Sequence, residues 1–191
     1  MNNKKTLFKS ILTVGLITIS LLLIPLFGQQ FSDEINWTLS DFIFAGILLF
    51  GTGSAYVFIS RMAQNSMYKV AGGLALITML FLVWSNLAVG LIGSEDQLAN
   101  LMYFGIVFIG IVGSVLSRFK ALGMSITSFA MAGGIVLITI VALTMGMQDY
   151  SGSSVIEILG VNAFFIVPFA LSGLLFRQAI QDNITQEHVT T

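Results

Sequence analysis

VAGGLALITMLFLVWSNLAVGLIGSEDQLANLMYFGIVFIGIVGSVLS, residues 70–117, decides the fold. Two apolar runs flank one short polar turn. A helix that crosses a membrane needs about 20 mostly apolar residues, with a range of about 17 to 25. Both runs meet that length. Neither alternates apolar with polar, and each is about twice as long as a barrel strand, so strands do not fit. Gly90 and Gly93, then Ser94-Glu95-Asp96-Gln97, is ordinary turn chemistry at a helix end. The stretch predicts a helix over about 70–93, a turn, and a helix over about 101–117.

The same test applied outward finds four more segments, at about 7–27, 39–60, 121–147 and 154–176. Composition agrees. The chain is 56% hydrophobic and 9% charged, with a mean hydropathy of +0.94, whereas a soluble domain is about 25% charged. A soluble fold of this size could not bury so much apolar surface. The fold class is an all-α integral membrane protein, a six-transmembrane-helix bundle. Residues 1–177 read as one transmembrane domain and residues 178–191 as a polar tail that frays. Arg61, Arg118 and Arg177 end every second helix at nearly even spacing, a weak sign of three helical hairpins. DFIFAGILLFG (41–51) also aligns with NLMYFGIVFIG (100–110).

The first segment follows Lys4, Lys5 and Lys9 and ends near Pro25 and Gly28, which resembles a secretory signal. It is long for one, and LFGQQ lacks the small-residue cleavage pattern, so it is expected to stay as the first helix. With six spans, every basic residue that flanks a span falls on one side. These are Lys4, Lys5, Lys9, Arg61, Lys69, Arg118, Lys120 and Arg177. The opposite loops hold Asp33, Glu34, Glu95, Asp96 and Asp149 and no base. Basic loops stay cytoplasmic, so both termini are expected inside. The spans come from hydropathy alone, which makes the charge sorting an independent check.

Several chemistries are excluded. The net charge of -1 gives no case for nucleic acid. The chain has no cysteine, which rules out disulfides, thiolate metal sites and cysteine nucleophiles. Ser-His and Cys-His sets, H-E-x-x-H and a phosphate loop are all missing, so the chain reads as no enzyme. The one histidine, His188, sits in the tail and provides no haem ligand within the bundle. Methionines such as Met124, Met131, Met145 and Met147 invite a copper reading, but methionine is common core filler. No cofactor and no metal are expected.

The polar residues near the spans are the candidate ligand-binding set: Trp84, Asn86, Asn162, Asp41, Glu157, Glu95, Asp96 and Asn100. Thr38-x-x-Asp41 and Ser154-x-x-Glu157 also read as capping boxes. Asn86 and Asn162 are each expected roughly 10–12 Å inside an outer helix end, at matching depth. Asn100 is placed either to cap the fourth helix or to face Asn86. If the asparagines converge, the chain is a transporter, channel or receptor for a small cation or amine. If they are scattered among interhelical bonds, it is a non-catalytic partner protein. Such a protein would bind copies of itself or another membrane protein through small-residue faces. Gly51/Ala55, Ala71/Ala75, Ser128/Ala132 and Ala130/Gly134 supply such faces.

The pattern W-x-N-L-A-V-G-x-I-G-S-E, followed by A-N-L-M-Y, runs from Trp84 to Tyr103. It resembles a group of uncharacterised small bacterial multi-spanning inner-membrane proteins. The resemblance implies a bacterial inner-membrane setting and no activity.

Overall fold

A computed structural model describes residues 2–31, 36–63 and 65–189. The described residues are overwhelmingly helical and include no strand. The helices are α1 (Asn2–Gly28), α2 (Leu39–Met62), α3 (Ser66–Ala88), α4 (Met102–Leu116), α5 (Ala121–Thr144) and α6 (Val155–Val189). Short 3-10 helices, Leu98–Leu101 and Met147–Asp149, precede α4 and follow α5. Six helical spans are long and apolar enough to cross a membrane, the fourth being α4 together with the 3-10 helix before it, Leu98–Leu116. The protein is a multi-pass membrane protein. Asp33 and Glu34 lie outside the described residues.

The chain divides into two compact units, Met1–Arg61 and Met62–Thr191. In the first, α1 and α2 run antiparallel, with Val14 against Gly53 and Leu22 against Gly46. A Cβ at Gly53 would stand 2.6 Å from a Val14 methyl group. Ser10, Thr13 and Ser20 return their hydroxyls to carbonyls one turn back. Hydroxyls facing hydrocarbon must be satisfied within their own helix in this way. Trp37 meets Phe42 edge-on at 5.2 Å.

The second unit is a ring of four helices in which α3 packs on α4, α4 on α5, α5 on α6, and α6 on α3. Its core includes Leu82, Tyr103, Ile106, Met131, Ile135, Ile138, Phe165 and Phe169. On α6, Ile158, Asn162, Phe165, Phe169, Ser172, Phe176 and Ala179 are all buried. Steps of four and three alternate along that row, which is the seam of a left-handed helix packing. Lipid is as apolar as leucine, so small residues and polar bonds must hold these helices together. Ser172 Oγ donates to Ala71 O at 2.9 Å, joining α6 to α3. Its one proton is spent there, so Ser128 of α5 is the donor in the 3.3 Å Ser128–Ser172 contact. Ser125 Oγ donates to Gly173 O at 2.7 Å, a second bond from α5 to α6. Met131 and Met79 both fill the space over Gly110, which makes these methionines core filler.

Two ends differ from the sequence expectation. The third helix begins at Ser66 because Asn65 caps it. Asn65 Oδ1 accepts from Tyr68 N at 2.9 Å, and its Nδ2 donates to Ala179 O at 2.7 Å. The same bond ties down the start of the predicted tail, where Ala179 is buried and the helix continues to Val189. The side chains of Asn183 and His188 lie outside those described. Between α4 and α5, Arg118 and Phe119 both take left-handed backbone at φ 50 and 57. That conformation costs about 1–2 kcal/mol per non-glycine residue. The Tyr68 hydroxyl holds the turn by donating to Phe119 O.

Candidate functional site

The candidate residues of the second unit gather at the end that carries the 89–97 and 145–154 turns. Glu95, Asp96, Asp149 and Glu157 are also there, so it is called the acidic end. Here α3 stops at Ala88, five residues before the predicted end at 93. Gly90 and Gly93 take φ of +74 and +68, which only glycine adopts without strain. The chain then folds back on itself and buries Leu91 and Ile92 in the core.

A buried segment without helix must satisfy its backbone some other way. Asn100 does this. Its Oδ1 accepts from Leu91 N at 2.9 Å and from Ile92 N at 3.0 Å. Its Nδ2 donates to Ser94 O at 2.8 Å and to Ile92 O at 3.4 Å. Both ends of the amide are therefore committed to the turn. Asn100 neither caps the fourth helix from an N-cap position nor bonds to Asn86. A Cβ on Gly90 would stand 2.7 Å from Ser94 backbone atoms and 2.8 Å from Asn100 Nδ2.

Asn162 is committed as well. It lies about 10 Å inside α6 at 1.5 Å per residue and is fully buried. Its Oδ1 accepts from the Tyr103 hydroxyl at 2.8 Å, and its Nδ2 donates to Ile158 O at 2.9 Å. The first of these bonds joins α4 to α6. Tyr103 was not visible as a partner from sequence, because nothing in the spacing of residues 103 and 162 pairs them.

Asn86 is not seven residues inside the end of its helix. With α3 ending at Ala88, Asn86 lies in the last turn. Asn86 is only 5% exposed, and its carbonyl oxygen has no hydrogen-bond partner among the described residues. Trp84 is half-buried, and Glu95 and Asp96 are exposed on the turn.

Asp41 closes its capping box, and Ser154 forms the N-cap half of the second. Asp41 Oδ2 accepts from Thr38 N at 2.7 Å and from Thr38 Oγ1 at 2.8 Å, and Asp41 N donates to Thr38 Oγ1 at 3.4 Å. Glu157 N donates to Ser154 Oγ at 3.1 Å, and that hydroxyl faces Glu157 Oε2 at 3.4 Å. Asp41 belongs to the first unit and Glu157 to the second. Asn100 and Asp41, aligned by the sequence repeat, thus do different work, one clamping a buried turn and the other capping a helix.

Compared with known proteins, the chain matches no family model, no curated protein and no solved structure.

The Asn162–Tyr103 bond makes a direct prediction. Asn162→Leu leaves a buried phenol unpaired and should cost about 2 kcal/mol, and Tyr103→Phe should cost about 1–2 kcal/mol. The double variant should cost about 1 kcal/mol less than the sum, because it leaves no orphan. Unfolding of the four proteins in mixed micelles measures the cycle. Additive losses would mean that the two side chains do not bond.

Proposed function

We propose that the chain is a non-catalytic membrane protein that associates with copies of itself or with another membrane protein through small-residue helix faces. The proposed setting is a bacterial inner membrane with both termini cytoplasmic, in keeping with the sorting of basic and acidic residues. The open glycines carry this proposal. A Cβ at Gly51, Gly105, Gly133 or Gly160 would meet nothing within 4 Å. Glycine inside a helix costs roughly 0.5–1 kcal/mol relative to alanine. Where another helix fills the gap, as Met131 does at Gly110, packing offsets that cost. At the four open positions an approaching partner helix would offset it.

A transport or receptor function would need a shared polar mouth formed by Trp84, Asn86, Asn162, Asp41 and Glu157. Asp41 and Glu157 are bonded within their own helix starts, and Asn162 is committed to Tyr103 across helices and to Ile158 O, which favours association. The absence of cysteine makes the test clean. Single cysteines at Gly51, Gly105, Gly133 and Gly160 are oxidised, or labelled with a benzophenone maleimide, in native membranes. A disulfide dimer or a single-sized adduct is expected from at least one face. No product from any position, with a monodisperse monomer in nanodiscs, would remove the proposal.

A further inference from the structure

A second buried acceptor stands at the acidic end of the four-helix unit. Gln148 Oε1 is buried and, like Asn86 Oδ1, has no partner among the described residues. Gln148 lies in the short 3-10 helix Met147–Asp149 that follows α5, and Asn86 lies in the last turn of α3. The helices α3 and α5 run in the same direction, so both amides sit at the same end. Met147, Leu82, Leu91 and Ile92 belong to one buried cluster, which sets the 3-10 helix, the end of α3 and the clamped turn on a common core. Gly93 adds a direct link, because a Cβ there would lie 3.4 Å from Tyr150 Cβ and 3.5 Å from Ser151 O.

The chemistry of the occupant follows from the sign of these groups. A buried polar atom in a native protein is bonded to protein, water or ligand. Two carbonyl oxygens accept and cannot satisfy each other. The partner must therefore bring N–H or O–H groups, and an anion or a pure acceptor is the wrong kind of ligand. It must also be small, because Asn86 is only 5% exposed. The exposed acids Glu95, Asp96 and Asp149 raise the local concentration of cations at the same end.

We propose that the Asn86 carbonyl oxygen, with Gln148 as a second acceptor, holds one small hydrogen-bond donor at the acidic end of the four-helix unit. Two sources share this chemistry, water and an ammonium or primary amine. The site needs neither a second copy nor a protein partner, so it stands or falls independently of the association proposed above.

The test uses the full chain in nanodiscs. An experimental density map should show a feature about 3 Å from Asn86 Oδ1. Thermal midpoints then separate the sources. If the donor is an amine, ammonium or methylammonium chloride should raise the midpoint by about 5 °C or more at a hundred times the dissociation constant. Tetramethylammonium chloride, a cation without N–H groups, should not. The rise should vanish in Asn86→Leu and, should that variant fail to fold, shrink in Gln148→Met. If the donor is water, the feature should be present in ammonium-free buffer and the midpoint should ignore all three salts. The proposal is overturned if the map shows Asn86 Oδ1 bonded to a protein donor or shows no feature. It is also overturned if tetramethylammonium acts as well as ammonium, or if chloride occupies the site.

Discussion

Asn100→Ala should lower stability by about 4 kcal/mol. The estimate starts from the two N–H groups of Leu91 and Ile92, which share Asn100 Oδ1 as acceptor. Each orphaned buried group costs about 1–3 kcal/mol. The Ser94 and Ile92 carbonyls lose their donor in the same step. Water would normally refill such bonds, but Leu91 and Ile92 are 7% and 0% exposed, so little water reaches them. Asn100→Leu restores most of the volume and none of the bonds. It should therefore be as damaging as Asn100→Ala, whereas recovery in the leucine variant would mean that packing, not hydrogen bonding, sets the loss. Gly90→Ala attacks the same turn from the other side, through strain at positive φ and a close approach to Ser94. Because both changes break one turn, their combined loss should fall well short of the sum. Denaturant unfolding in mixed micelles reads all four proteins.

The same turn shows what could and could not be seen in the sequence. All six helices were legible, because about 20 apolar residues in a row allow few other structures. Their ends were not. Hydropathy continues through Val89, Leu91 and Ile92, so the third helix reads as lasting to 93. Only the positive φ at Gly90 and the four bonds of Asn100 end it early. The early end puts Asn86 in the last turn of α3. Hydropathy does not mark the start of α3 at Asn65, because Lys69 lies in the first turn of that helix. The buried row on α6, with its four-three spacing from Ile158 to Ala179, does not stand out in the sequence, because the exposed Leu159, Phe164 and Val167 are as apolar as the residues that it buries. Capping boxes are local, spanning three residues, and Thr38/Asp41 and the Ser154 N-cap were read correctly. Bonds between distant helices, such as Tyr103 to Asn162 or Ser172 to Ala71, leave no trace in spacing.

Gly113→Leu should cost about 3 kcal/mol, at the upper end for overpacking. Gly113 lies on α4 where Thr127 of α5 crosses it. A Cβ at Gly113 would stand 2.5 Å from Thr127 Oγ1, 2.6 Å from Cγ2 and 3.0 Å from Cβ. A flexible neighbour would swing aside. Thr127 cannot, because it is branched at Cβ and its Oγ1 donates to Gly123 O at 2.9 Å, which fixes its rotamer. Rotating it away breaks that bond and still leaves another branch in place. The remaining route is to push α4 off α5, which loosens the contacts around Gly110 and Gly134 as well. Thr127→Ala on its own should cost less than about 1 kcal/mol, since its bond lies within one helix. Combined with Gly113→Leu it should recover about half of the loss by removing both γ atoms. Full recovery would mean that the threonine branches alone keep the helices apart at a larger residue. No recovery would mean that the α4 and α5 backbones themselves meet at Gly113, so that this crossing needs glycine whatever faces it.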